Sequence, residues 1–238
     1  MNTWKNNNAL TRIKESYFLE DTDRDGAPGL PPDAKLVGGT IFYIDDAAGG
    51  EYQFFDAEGN VIENAGVGDR PYACRVIRKG SKDKYYVYHD ELCEGRWSNY
   101  EDDEDEISEN ELLGTSEDIG SGKTNTGIAM ATSSSFGRYP TIWYRLQQIR
   151  NVKAGGCSDW FIPSKDEVEK LRQAIKSGSI TGGTIARSSY DASAFGNKYL
   201  WSSSEHPSQG IWIWSPYYHL WGGYYKYNDN FVFFIRAF

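Results

Sequence analysis

Side chains with the spacing of a catalytic or metal site are scarce in this sequence. The histidines, His89, His206 and His219, fit no metal-ligand motif such as HExxH, and no GxSxG nucleophile motif occurs. The three cysteines are too widely spaced for a metal knuckle or a dense disulfide framework, and at least one is unpaired. We therefore predict no catalytic residue, no metal and no cofactor, and cysteines that are buried or half-buried free thiols.

Three segments resemble ligand-binding loops but lack what such loops need. Gly120–Thr124 (GSGKT) would require a glycine at position 117 to form a phosphate-binding loop, and Glu117 would repel phosphate. Asp21–Gly26 matches the first half of an EF-hand calcium loop, but Pro32 holds the place of the bidentate glutamate. Glu101–Glu111 has eight acidic residues in eleven. We expect solvated acidic loops, with a partial calcium site as the alternative.

Residues suited to binding are concentrated at the end of the chain. From Ile211 to Phe238, twelve of 28 residues are Trp, Tyr or Phe, against 15% in the whole sequence. The part from Trp214 to Asn230 mixes tyrosine with Gly, Asn, Ser and His and has neither strand nor helix periodicity. This is the composition of an antibody-like binding surface, in which tyrosine gives contact area at low entropic cost. An unusually aromatic core is the alternative.

Composition narrows the choice of partners. The formal net charge is −9 and the pI is about 4.9, which disfavours a nucleic-acid partner because phosphates need a basic surface. No apolar run reaches the roughly 20 residues that cross a bilayer. The first residues lack the apolar stretch of a secretory signal. Localisation therefore stays open between the cell surface, a phage particle and the cytoplasm.

Three helices can be predicted from the pattern. Apolar residues recur at helical spacing in Ala9–Leu19. A second helix is expected to start with Pro140 at its first position. A third has a capping box formed by Ser164 and Glu167, and stops at Gly178. The predicted apolar faces of the last two helices are Ile142, Trp143, Leu146 and Ile149, and Val168, Leu171 and Ile175.

Strands are expected in both halves of the chain. The predicted strands are Leu36–Ile44, Glu51–Phe55, Asn60–Glu63, Tyr72–Arg78, Lys84–His89 and a final strand at Phe231–Phe238. Glu51–Phe55 and Asn60–Glu63 should form one hairpin, and Tyr72–Arg78 with Lys84–His89 another. Trp160, Trp201 and Phe234 are expected in the core.

Several strings, taken in order, resemble one family of bacterial and phage proteins. They are Gly38–Ile44, Gly114–Ser116 with Gly120–Thr126, Asp159–Glu167, Leu200–Glu205 and Ile235–Phe238. Together they resemble the variable proteins of diversity-generating retroelements, which have a C-type lectin fold. The resemblance implies an α+β domain at 35–238, with two helices packed on antiparallel sheets, after an N-terminal extension at 1–34. Residues 201–238, here called the C-terminal segment, correspond to the family's variable region.

The resemblance also implies a function. In the family, a reverse transcriptase copies a template repeat with errors at adenines, and the copy replaces the 3′ end of the variable gene. The protein is then a non-enzymatic binder of a protein or glycan, independent of calcium, with Trp212, Gly222 and Lys226 as fixed scaffold. The resemblance assigns the varied, ligand-facing role to His206, Ser208, Gln209, Trp214, Ser215, Tyr217, Tyr218, His219, Trp221, Tyr224, Tyr225, Tyr227, Asn228, Asp229 and Asn230.

Two other functions remain alternatives. Related bacterial domains carry the same strings without being diversified, so the protein could be an undiversified surface lectin-like or adhesion domain. Formylglycine-generating enzymes share the fold but rely on cysteines late in the chain. Here no cysteine follows Cys157, which disfavours that activity.

Overall fold

The computed structural model describes eleven stretches of the chain. They are residues 30, 33–45, 51–77, 85–88, 92–99, 111–132, 140–153, 157–180, 198–208, 210–216 and 218–237. These residues form a mixed α+β structure, as predicted. The predicted helix at Ala9–Leu19, the acidic stretch Asp21–Gly26 and most of the run Glu101–Glu111 lie outside them, as does nearly all of the N-terminal extension.

The described residues form twelve short strands and three helices. Strands β1 to β12 are Lys35–Leu36, Thr40–Ile44, Tyr52–Phe55, Val61–Ile62, Ala73–Val76, Tyr85–Tyr88, Cys93–Gly95, Leu200–Glu205, Ile211–Ser215, Leu220–Tyr224, Asn230–Val232 and Ile235–Ala237. Helices α1, α2 and α3 are Gly122–Thr132, Ile142–Asn151 and Lys165–Lys176.

The strands make three sheets. Their orders are β1-β5-β3-β4, β10-β9-β8-β11-β7 and β12-β6-β2. The pairs are antiparallel except β8 with β11, which is parallel. In the third sheet Ile41 and Val87 belong to one core cluster, whereas Phe42 and Tyr86 belong to a second. Successive side chains of a strand point to opposite faces, so this sheet separates the two clusters.

The second predicted hairpin is wrong. β5 pairs with β1 and β3, whereas β6 pairs with β2 and β12 in a different sheet. Consecutive residues Tyr86, Val87 and Tyr88 of β6 are all buried, which requires cover on both faces and suits a central strand. Pairing across distant parts of the chain therefore overrides the local turn.

Two predicted single strands are each divided between sheets. Leu36–Ile44 becomes the end of β1 and all of β2, because Gly38 has a φ of 60° and turns the chain between them. Phe231–Phe238 divides into β11 and β12 around Phe233 and Phe234, which are buried.

The core is rich in tryptophan. Trp160, Trp201 and Phe234 are fully buried, which confirms the sequence prediction. Trp97 and Trp143 join them in the first cluster and meet edge to face, with ring centroids 5.0 Å apart. Aromatic rings of this size dominate the energetics of a core. The core is thus a packed layer of aromatic rings to which the C-terminal segment itself contributes Trp201 and Phe234.

Helix α3 follows the prediction closely. The Ser164 hydroxyl accepts a bond from the Glu167 N–H, and the Glu167 carboxylate accepts one from the Ser164 N–H, which completes the capping box. Gly178, with a φ of 74°, follows its end. The face predicted for α2 is buried, but α2 is capped by Thr141, so Pro140 precedes the helix instead of occupying its first position.

Helix α1 was not predicted. Its buried residues are Gly122, Asn125, Thr126 and Ala129, which are small or polar and show no apolar periodicity. A Cβ at Gly122 would lie 2.3 Å from Oε2 of Glu167, so only glycine allows this approach to α3. The GSGKT string therefore packs one helix against another.

Candidate functional site

The C-terminal segment places a hairpin at the edge of the five-stranded sheet. β9 and β10 pair in a register that sets Trp214 opposite Trp221 and Ile211 opposite Tyr224. The connecting turn is closed by a bond from the His219 N–H to the Ser215 carbonyl, 2.9 Å long. Because side chains alternate along strands, the hairpin has one face toward α3 and another toward the first core cluster.

The tryptophans of the hairpin are held by α3. The indole N–H of Trp221 donates to Oε2 of Glu169 at 3.0 Å, and the Arg172 guanidinium lies over the Trp214 ring at 6.0 Å. Burial raises the pKa of Glu169, but hydrogen bonds from Arg172, Trp221 and Gln173 outweigh it, so the net shift is downward. The carboxylate that anchors the hairpin therefore stays ionised.

Trp212 is held by contacts to its indole N–H and to its ring face. Its indole N–H donates to Oε1 of Glu117 at 2.8 Å, and the ammonium of Lys165 lies 3.9 Å from its ring centre. Glu117 and Lys165 also form an ion pair. The ring of His206 meets Trp212 at 4.2 Å. With both its N–H and its ring face engaged, Trp212 connects the sheet to the start of α3.

Besides the tryptophans of the hairpin, four tyrosines contact one another. They are here called the tyrosine cluster: Tyr199, Tyr224, Tyr225 and Tyr227. Tyr199 meets Tyr224 edge to face with ring centroids 4.7 Å apart, and Tyr224 lies 6.2 Å from Tyr225. The rings of Tyr225 and Tyr227 are stacked, 5.4 Å apart and 14° from parallel. Tyr225 is 42% exposed. The cluster runs from the scaffold to the surface.

Lys226, which lies between Tyr225 and Tyr227 in the sequence, is fully buried. Its ammonium donates to the Glu111 carbonyl at 2.5 Å and lies 3.6 Å from Oε1 of Glu205 and 5.2 Å from the ring centre of Trp97. Its own carbonyl accepts bonds from the N–H groups of Trp97 and Ser98, each 2.9 Å long. The turn that follows β10, at Lys226 and Tyr227, is therefore held by both the side chain and the backbone of Lys226.

Glu205 connects this anchor to a loop far away in sequence. Its carboxylate accepts bonds from the N–H groups of Leu113, Gly114 and Thr115, at 2.8, 3.0 and 3.3 Å, and from the Thr115 hydroxyl at 3.2 Å. A buried carboxylate needs such donors to offset its desolvation. Two strings that carry the family resemblance, around Gly114 and around Glu205, thus meet directly.

The structure distributes the predicted ligand-facing residues among three environments. The exposed ones are Ser208, Tyr218, His219, Tyr225 and Asp229. The partly exposed ones are His206, Trp221, Tyr224, Tyr227 and Asn228. The buried ones are Trp214, Ser215 and Asn230. Gln209 and Tyr217 lie outside the described residues.

Three residues predicted to face the ligand are buried, and their side chains have contacts within the fold. Trp214 is packed in the second core cluster. The Ser215 hydroxyl accepts a bond from the Tyr218 N–H at 3.2 Å and shapes the turn. Oδ1 of Asn230 accepts a bond from the Tyr199 N–H at 3.0 Å. A residue buried in this way cannot contact a ligand without rearranging the sheet.

Sequence reasoning missed two residues that adjoin the predicted ligand-facing residues. Leu220 is exposed at the start of β10, and Tyr199 belongs to the tyrosine cluster although it precedes the C-terminal segment. Tyr199 could have been suspected only from its place before the Leu200–Glu205 string. Its contact with Tyr224 depends on sheet order, which local patterns do not contain.

The cysteines are free, as predicted. Cys74 and Cys157 are buried and Cys93 is partly buried. Burial raises the pKa of the Cys74 thiol to about 12, although the charges of Arg236 and Lys35 oppose the shift. Cys74 is thus a neutral thiol at physiological pH, as suits a packing residue. Across the described stretches, no group of three or more His, Cys, Asp or Glu side chains could hold a metal.

No protein-family model matches the sequence, and no curated protein matches it. Among the helices in the described part of the chain, none is both long and apolar enough to cross a membrane.

Proposed function

We propose that this protein is a non-enzymatic binder whose ligand contacts the exposed side chains of the C-terminal segment. The observation that carries the proposal is the arrangement around Lys226. A fully buried lysine fixes the turn, while Tyr225 and Tyr227 on either side of it stack with each other at the surface. Their neighbours Asn228 and Asp229 add polar groups that are at least partly exposed.

This arrangement favours binding for a physical reason. Tyrosine offers a large, amphipathic contact area with few rotatable bonds, while Asn and Asp supply adaptable hydrogen bonds. Side chains that are already ordered lose less entropy when a partner binds. The contacts of Lys226 with Glu111, Glu205 and Trp97 order the turn before any ligand arrives. The ligand is a protein or a glycan, since the net charge of −9 disfavours nucleic acid.

We further propose that the domain has the C-type lectin fold and is the variable protein of a diversity-generating retroelement. Support comes from the way the strings that suggested the family join in one polar network. The Ser116 carbonyl accepts bonds from Nδ2 of Asn125 at 2.7 Å and from the Ser204 hydroxyl at 2.8 Å. The Ser204 hydroxyl also accepts a bond from the Lys165 N–H at 3.0 Å. Distant strings are thus parts of one scaffold.

A display library tests the binding surface. Five exposed positions are randomised together and the library is selected against one test protein, such as lysozyme. A control library of equal size randomises five exposed helix-end positions. The first set is Ser208, Tyr218, His219, Tyr225 and Asp229, and the control set is Thr132, Gln148, Asn151, Val152 and Lys176.

We expect folded, specific binders from the first library and few or none from the control. The expectation follows because the first set surrounds ordered aromatic side chains, whereas the control set lies on helix surfaces. Equal yields from the two libraries would contradict the proposal, as would a first library whose members fail to fold.

A further inference from the structure

Tyr199 lies where the buried scaffold meets the exposed tyrosines. Its backbone is fixed on both sides by β11: its N–H donates to Oδ1 of Asn230 at 3.0 Å, and its carbonyl accepts a bond from the Phe231 N–H at 2.9 Å. Asn230 itself is buried. Because the buried side-chain amide of Asn230 holds the backbone of Tyr199, Tyr199 has little freedom to move.

The ring of Tyr199 in turn limits Tyr224. The two rings meet at 71°, with centroids 4.7 Å apart, which is a favourable edge-to-face geometry. Tyr224 also lies 6.5 Å from the fully buried Trp201. Tyr224 is the last residue of β10, so a change in its ring position would directly displace the turn that follows.

We propose that Tyr199 is a positioning residue for the ligand surface: it holds Tyr224, and through Tyr224 it keeps the stacked rings of Tyr225 and Tyr227 in their outward arrangement. The inference rests on the proposed function, because it gives this tyrosine a part in binding. It adds a residue that lies before the C-terminal segment. The ligand surface would then contain an aromatic support that lies outside the segment proposed to be diversified.

The arrangement of the Tyr225 and Tyr227 rings can be measured without a ligand. The protein is labelled with 3-fluorotyrosine, and the ¹⁹F signals of Tyr225 and Tyr227 are assigned by single Tyr→Phe substitutions. In Tyr199→Ala we expect both signals to move toward the position of an unfolded chain, because the support of Tyr224 is lost. In Tyr199→Phe, which keeps the ring, they should stay in place. Tyr218→Phe, in the hairpin turn, is the matched control and should leave them unchanged.

Binding gives the second measurement. In a binder selected from the first library that retains tyrosine at position 225, Tyr199→Ala should weaken binding about tenfold, as loss of a well-packed aromatic support does, and Tyr199→Phe should restore it. Thermal unfolding of each variant identifies any global loss of structure. A merely structural role would lower the unfolding temperature and leave the two ¹⁹F signals in place below it.

The outcomes separate this inference from the proposed function. If binders are found and Tyr199→Ala changes neither the ¹⁹F signals nor the dissociation constant, Tyr199 is not a positioning residue, while the binding surface stands. If no binders are found and the ¹⁹F signals still move, the ring support is real and the binding role of the surface fails, and the role of Tyr199 in binding fails with it.

Discussion

The ammonium of Lys226 and the carboxylate of Glu205 lie 3.6 Å apart, and neither side chain is more than 4% exposed. Taking two charges out of water costs on the order of several kcal/mol for each ion unless other polar groups compensate. Here the backbone of Leu113–Thr115 surrounds the carboxylate, and the Glu111 carbonyl receives the ammonium. The pair connects the loop at residues 111–115 to the end of β8 and to the turn at Lys226.

Removing the charge of Lys226 should therefore lower the free energy of unfolding strongly. Lys226→Met leaves the Glu205 carboxylate buried without its charged partner, so the free energy of unfolding should fall by about 3–5 kcal/mol. Chemical denaturation measures the change. Lys198→Met is the matched control, because the Lys198–Glu94 pair is partly exposed and should contribute at most about 1 kcal/mol. If the two variants lose equal stability, Lys226 is not the anchor of the turn.

Exposed and buried aromatic residues should differ in their tolerance. Replacing Tyr218 or Tyr225 with serine should cost about 0.5 kcal/mol or less, since both are well exposed at 63% and 42%. Replacing Trp160, Trp201 or Phe234 with alanine should cost about 3–5 kcal/mol. Thermal melts of the five single variants decide the matter. Tyrosine variants that unfold as easily as the others would show that the aromatic residues are packing.

Acid should weaken the ion pair between Asp159 and Arg236. Burial alone would raise the pKa of Asp159. Its hydrogen bonds with Arg236 and the charge of that arginine lower the pKa by a larger amount, so the net shift is downward. A lowered folded-state pKa gives stability that is present above the unfolded value of about 3.9 and is lost as pH falls through the folded value. Asp159→Asn should therefore flatten the pH dependence of unfolding below about pH 4. Parallel curves for both proteins would refute this origin of the acid sensitivity.

Calcium should have no role in binding. The stretch Asp21–Gly26 lacks a bidentate ligand, because Pro32 holds that position. We expect the unfolding temperature, and the affinity of any selected binder, to be the same with excess calcium and with EDTA. Since a ligand that binds only the native state must stabilise it, a clear rise in unfolding temperature with calcium would reveal a site in the acidic segments.

Local chemistry made α3 predictable, whereas sheet pairing was not. Ser164 and Glu167 lie three residues apart and cap the helix by themselves, so the sequence alone contains their relationship. Helix α1 has no comparable signal, because its buried face includes Gly122 and Asn125 instead of apolar residues. β5 and β6 were paired wrongly because their true partners lie far away in the chain.

The candidate surface was predictable by composition but not residue by residue. Tyrosine mixed with small polar residues predicted a ligand-facing region, and five of the predicted residues are exposed in the structure. Trp214 has the same chemical character as its neighbours, yet its cross-strand partner Trp221 and the nearby Arg172 place it in a packed layer. Tyr199 was missed for the converse reason, since only the sheet brings it to Tyr224.

The DNA beyond the 3′ end of the gene tests the central claim most directly. A near-copy of the sequence that encodes the C-terminal segment should lie there, beside a reverse transcriptase gene, with adenine in the copy wherever the two differ. The differences should fall in codons of exposed residues such as Tyr218, His219 and Tyr225, and should spare Trp212 and Lys226. A complete locus without such a repeat, or with differences spread evenly over all template bases, would contradict diversification of this surface.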